Sequence, residues 1–255
     1  MHIPKSFRAF ALLTIFATIG FVSYHVYHDE QRKIHALGLD HVSLEIARRH
    51  IAIVEGMPTT LIRDDISPVH IMFRKTSKEA WVLLGSGTHL IRARGHAIIT
   101  AHHVLGGHSG EFGYREINRK IFTGETLVLP IVKVTDPHLM YDLIFCYVGF
   151  GKDFLNISVY KRTFESTRYR INETSGTLQL LTHPQKPLHV LSFGDSTQEC
   201  RYVQFEGDVT YGESGTGGII NKSENSLLVV TREISYTLGS KSFKGGEGVE
   251  VILKH

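Results

Sequence analysis

Cysteine is nearly absent. Only Cys146 and Cys200 occur in 255 residues, and neither belongs to a CxxC pair. A disulfide scaffold and a thiolate zinc site are therefore excluded as organising devices; a single disulfide and two buried thiols both remain open. No sign of charge dominates either, since 28 Lys and Arg against 25 Asp and Glu leave +3 at neutral pH. The basic residues are spread along the chain rather than gathered into a stripe, which argues against a nucleic-acid partner. No fixed-period repeat is present, no strand–helix alternation that would build a parallel sheet, and no HExxH segment. The chain has an ordinary globular composition, 42% hydrophobic and 21% charged, and enough length for one sizeable domain with an appendage or for two small domains.

The one long apolar run lies at the start. Ala9 to Tyr27 carries no Asp, Glu, Lys or Arg and has roughly the ~20 residues that span a bilayer core. Lys5 and Arg8 precede it, which favours a cytoplasmic N-terminus. No A-x-A-like cleavage site follows, so an uncleaved signal anchor is preferred to a cleaved signal peptide. Either places the remainder outside the cytoplasm, membrane-anchored in the first case and secreted in the second. Residues 1–28 are assigned to this segment. In residues 29–66, Ile34, Leu37, Val42, Ile46 and Ile53 recur at loosely helical spacing, so a helical stalk or linker is expected. A spacer is preferred there to a docking helix.

From about residue 67 the texture changes. Short β-rich runs, each closed by Gly, Asn, Asp or Pro, include Val69–Arg74, Ala80–Gly87, Asp142–Phe150, His189–Asp195, Arg201–Val209, Ser226–Ile234 and Gly248–His255. Many short strands with turn signals between them point to an all-β fold. A pause near Gly149-Phe150-Gly151 divides them into two small barrels more naturally than one large one.

Three motifs carry chemistry. A hairpin beginning Gly85-Ser86-Gly87 returns into Thr100-Ala101-His102-His103-Val104; Asp142 opens the apolar run Leu143-Ile144-Phe145; and Gly212-Glu213-Ser214-Gly215 precedes the strand Ile219-Ile220. A histidine suits a proton acceptor because it titrates near neutral pH. A serine in a tight Gly-flanked loop has backbone N–H groups that can point at a developing negative charge. In this order the motifs resemble those of the trypsin-like (chymotrypsin-fold) serine peptidases, in the compact bacterial or viral style, over residues 67–255. The resemblance implies two six-stranded antiparallel β-barrels after an N-terminal transmembrane or signal helix. It implies a catalytic triad of His103, Asp142 and Ser214, with Gly212 and Ser214 amides as the oxyanion hole. The implied activity is hydrolysis of protein or peptide substrates through an acyl-enzyme, with no cofactor and no metal.

The departures are specific. No Ile-Val-Gly-Gly activation sequence is present, and the residue before the nucleophile is Glu213 where trypsin-like members have Asp. Val104 stands where secreted animal members have Cys. The chain is expected to end with the second barrel and no appended module. Asp208 falls where an acid lines the primary pocket of trypsin-like members, favouring basic residues, and a solvated turn residue is an equal reading. Thr231 and Arg232 are further pocket candidates. A different class of function is a catalytically inactive member of the fold acting as a membrane-tethered binding or assembly module. A metal site built from His96, His102, His103 and His108 is disfavoured, because adjacent histidines on a strand point apart.

Overall fold

The computed structural model describes residues 5–58, 61–92, 95–124, 126–138, 140–164, 169–170, 176–238 and 241–253. Two helices lead, α1 (Lys5–Leu37) and α2 (Leu44–Gly56). The first sheet comprises β1 (Ile66–Arg74), β2 (Val82–Arg92), β3 (Gly95–Thr100), β4 (Ser109–Glu116), β5 (Leu129–Val134), β6 (Ile144–Val148) and β7 (Asn156–Ser158), with a one-turn helix α3 (His102–Leu105) after β3. Its strands run β1-β2-β3-β6-β5-β4, and β4 pairs back onto β1 to close a six-stranded antiparallel barrel, leaving β7 as an addition to β4. The second sheet comprises β8 (Tyr169–Arg170), β9 (Gly176–Leu180), β10 (Leu188–Ser196), β11 (Cys200–Glu206), β12 (Gly217–Ile220), β13 (Ser226–Leu238) and β14 (Lys241–Ile252). Here β11-β14-β13-β12-β9-β10 close through β10–β11, and β8 adds to β10. Closure removes the unpaired edges that an open sheet would present to other chains. Of the expected strands, residues 254 and 255 of the last lie outside the described residues.

Inward-facing apolar residues fill each barrel. Val69, Ile71, Ile98, Phe112 and Ile131 form the first interior, and Val190, Val203, Phe205, Leu228 and Val230 the second. A third cluster joins them: Ile66, Leu90, Ile99 and Leu143 meet Leu181, Ile219, Leu227 and Val249 along the seam between barrels. Two tyrosines pin this seam. The Tyr141 hydroxyl donates to the Cys200 carbonyl (3.1 Å) and the Tyr202 hydroxyl to the Met140 carbonyl (3.0 Å). The barrel closure depends on β4, which was not among the expected strands. Gly, Glu and Arg interrupt it, yet Phe112 and Tyr114 are both buried at period two, and that alternation is the strand's only sequence signature.

The change of composition at Asp29 alters the surroundings of α1 and not its backbone, which stays helical from Lys5 to Leu37. Among the described residues no helix is long and apolar enough to cross a membrane. α2 is capped by Ser43, whose hydroxyl accepts from the Ile46 amide, with Glu45 in the first turn; both suit the positive end of a helix. Its buried residues Ala47, His50, Ile51 and Val54 share one face at helical spacing. With Ile34 and Leu37 they enter a common core with Met72 of β1 and Leu83 of β2. The helical segment read as a spacer is thus docked on the first barrel.

Both thiols are buried and unpaired. Burial pushes Cys146 up to about 12 and Cys200 up to about 11, because a thiolate is poorly solvated there.

Candidate active site

β3 ends at Thr100, and the chain turns at once into α3. Ala101, Val104 and Leu105 point into the first barrel's core, which leaves His103 facing outward with its side chain 43% exposed. Asp142 arrives immediately after the pinned Tyr141. Its carboxylate makes two bonds to one residue: His103 Nδ1 lies 2.5 Å from Oδ2, and the His103 amide donates to Oδ1 at 3.0 Å. The Asp142 backbone also takes part, its carbonyl accepting from the His102 amide at 3.3 Å. Ring and backbone of His103 are therefore held by a single side chain, which orients the imidazole with Nε2 directed away from the acid.

His102 goes the other way. It is fully buried and packs near Tyr160 and Phe164. Burial lowers its pKa. Among the described residues no three His, Cys, Asp or Glu side chains gather as a metal site would require.

The serine loop is strung between the barrels. The Gly215 amide donates to the Val230 carbonyl (2.7 Å) and the Val230 amide to the Thr216 carbonyl (2.9 Å), while the Ser86 amide donates to the Ser214 carbonyl (2.8 Å). The Ser86 hydroxyl donates to the Gly212 carbonyl at 2.6 Å, and the Thr100 hydroxyl holds the Ser86 carbonyl at 2.6 Å. Gly212 and Gly215 take φ of 86° and 90°, a region costly for any residue with a Cβ. Ser214 itself is half-buried. Its approach to the histidine helix is set by Gly85 of β2, where an added Cβ would lie 2.9 Å from both the Ser214 carbonyl and the Val104 side chain. The serine loop and α3 thus meet one face of the same glycine. Among the described residues the Gly212 and Ser214 amides have no acceptor, and the Ser214 hydroxyl has no hydrogen-bond partner.

Glu213 points inward. It is 1% exposed, accepts from the Thr210 amide (2.8 Å) and the Thr182 hydroxyl (3.1 Å), and stands 3.1 Å from His183 Nδ1. Thr182 and His183 were not legible as site residues, since they gain meaning only when the loop after β9 is brought under Glu213. The pocket candidates separate. Thr231 is buried with its hydroxyl on the Glu247 carbonyl (3.1 Å), and Arg232 pairs with the Glu247 carboxylate (3.0 Å). Both directly follow Val230, to which the serine loop is tied. Asp208 is exposed and lines a cavity of about 700 Å³ with Arg49, Ile53, Thr210, Glu213 and Lys244. Neither Ser214, Thr231 nor Arg232 is in that lining.

No family model matches the sequence, and no curated protein matches it. Among solved structures the chain is similar to neuropsin, a serine protease expressed in the limbic system of mouse brain, at 11% identity over 74% of this chain and 90% of that one, TM-score 0.41. It is similar to kallikrein-related peptidase 10 in complex with Zn2+, at 11% identity over 74% and 90%, TM-score 0.41. It is similar also to human heparin binding protein, at 11% identity over 70% and 84%, TM-score 0.39. The strand pairings carry the architecture by themselves: two closed six-stranded antiparallel barrels in succession are the fold of the trypsin-like serine peptidases.

Proposed function

We propose that the chain is a serine endopeptidase acting by acyl transfer. Ser214 attacks the scissile carbonyl as His103 takes its proton through Nε2. Asp142 keeps the other ring nitrogen protonated and stabilises the imidazolium, and the Gly212 and Ser214 amides receive the oxyanion. Water then releases the acyl group by the reverse proton path. The observation that carries this reading is the double hold of Asp142 on His103, ring at 2.5 Å and amide at 3.0 Å, beside a serine loop whose two amides are unclaimed among the described residues. Arg232 is the exposed candidate for contact with substrate side chains on the strand tied to the serine loop, its charge paired with Glu247, while Thr231 beside it is buried and bonded to the Glu247 carbonyl.

A second reading has one observation in its favour: the Ser214 hydroxyl is not hydrogen-bonded to His103. A non-catalytic member of the fold, serving as a tethered binding module, needs no such bond. Catalytic hydrogen bonds are commonly long without substrate and tighten in the complex, so the active reading is preferred. Labelling of the full chain with a fluorophosphonate probe separates the two. Wild type is expected to label, and Ser214→Ala and His103→Ala to lose labelling. A folded wild type that does not label leaves the binding module.

We also propose that α1 is the membrane-contacting part. Phe16, Ile19, Phe21, Val22 and Val26 are all exposed within a stretch lacking charge, with Lys5 and Arg8 before it. The full chain is expected to co-sediment with lipid vesicles, and a chain beginning at Asp29 to be released into the supernatant. Release of both would end this part of the reading.

A further inference from the structure

The N-terminal hairpin supplies a residue that touches the serine loop. His50, on the buried face of α2, has its Nε2 2.9 Å from Nε2 of His70 on β1, and both rings are 0% exposed. A Cβ placed on Gly212 would stand 3.1 Å from His50 Cε1, 3.3 Å from His50 Nδ1 and 3.3 Å from a Leu83 methyl. The turn that presents the Gly212 amide therefore rests on the His50 ring, while the Gly212 carbonyl is fixed from above by Ser86. One residue is braced from two directions, by the first barrel and by α2.

The brace has a defined chemistry. A bond between two Nε2 atoms requires one ring to donate and the other to accept, so at least one histidine must be neutral and its tautomer fixed. The groups facing His50 are Glu213 and the Tyr211 backbone from the serine loop, Arg115 from β4, His183 from the loop after β9 and His70 from β1. Arg115 is itself buried, with Nε and one terminal nitrogen lacking partners among the described residues. Burial lowers His50 to about 4 and carries His70 well below the usual range, with Arg115 lowering both further. Neutral rings fit beside that guanidinium, whereas a second and third cation would not.

We propose that His50 is a positioning residue for the Gly212–Ser214 loop, so that the α1–α2 hairpin is a working part of the active site and the His50–His70 pair is the strut that sets the Gly212 amide. This rests on the serine peptidase reading of the same site. His50 touches no reacting atom; it acts through the placement of one oxyanion donor, and a displacement near 1 Å costs on the order of 10²-fold in rate.

The test uses the full chain with His50→Ala, His50→Gln and His70→Ala. His50→Ala and His70→Ala are expected to lower kcat, or the fluorophosphonate labelling rate, on the order of 10²-fold with KM nearly unchanged. Amide hydrogen exchange should rise selectively over residues 210–216 in both. His50→Gln, whose amide can still bond His70, should recover most of the rate and the protection. On acidification from pH 6.5 toward 4 the unfolded histidines take up protons that the buried pair refuses, so wild-type unfolding midpoints should fall over that window. His50→Gln should flatten the fall. Unchanged kcat and unchanged exchange at 210–216 in His50→Ala would overturn the strut, as would exchange that rises evenly across both barrels in every variant. If wild type neither labels nor hydrolyses, the peptidase reading fails separately, and selective exchange at 210–216 still decides whether His50 sets the loop.

Discussion

Asp142→Asn is expected to lower kcat about 10⁴-fold at neutral pH while leaving the barrels intact. The size follows from how the carboxylate is used. One oxygen accepts from the His103 amide at 3.0 Å and the other faces His103 Nδ1 at 2.5 Å. In the Asn variant, the amide oxygen is the only atom able to accept the backbone N–H, which turns the NH₂ toward Nδ1. Two donors cannot face each other, so the ring must carry its proton on Nε2 instead. Nε2 is then no longer a base toward Ser214, and the variant keeps its geometry but has the wrong tautomer. Burial of Asp142, whose side chain is 14% exposed, leaves little room for water to substitute. The labelling rate of Asp142→Asn against wild type measures this at constant probe, and the urea midpoint reports the fold. Raising the pH should not restore the rate, because the obstruction is a tautomer and not a titration. A loss under 10-fold would show that His103 works without Asp142, and the triad as drawn would fall.

Much of this arrangement was written locally. The pairing of His103 with Asp142 is foreshadowed by two short motifs whose residue types answer to one chemical need, and Ser214 in its Gly-flanked motif enters as the proposed nucleophile. The strand runs were visible for the same reason, since alternation and turn residues act over single elements. What was hidden is whatever depends on pairing across the chain. β4 reads as polar and Gly-rich until Phe112 and Tyr114 are set against β1, and its pairing there closes the first barrel. Glu213 reads as a departure from Asp until His183 and Thr182 surround it. His50 carried a faint signal, a histidine in the apolar face of an amphipathic helix alongside Ala47, Ile51 and Val54. That pattern says the residue is buried, but only the fold says against what. Length and charge suggested a spacer for the segment that holds it, because amphipathicity over one short helix does not reveal whether a partner surface exists.

The contact between the serine loop and the first barrel gives the largest expected effect on stability. Gly215 has φ of 90°, and a Cβ there would lie 2.0 Å from the Ser86 carbonyl oxygen and 2.1 Å from Thr100 Oγ1. Gly215→Ala must therefore absorb backbone strain of roughly 1–2 kcal/mol and also break the hydrogen bonds that Ser86 makes with Ser214 and Thr100. Together these should cost on the order of 4 kcal/mol or more, a large part of the 5–15 kcal/mol that holds a typical domain. Gly124 provides the control. Its φ of 78° is similarly left-handed, but nothing stands within 4 Å of an added Cβ, so Gly124→Ala should cost only the strain itself, roughly 1–2 kcal/mol. Urea midpoints of the two variants separate close approach from conformational strain. Adding Thr100→Ala to Gly215→Ala should recover little, since the Ser86 carbonyl is backbone and cannot be trimmed away. Equal costs for the two glycines would mean that the serine loop does not press against β2, and the path by which Ser214 is brought beside the histidine helix would have to be redrawn.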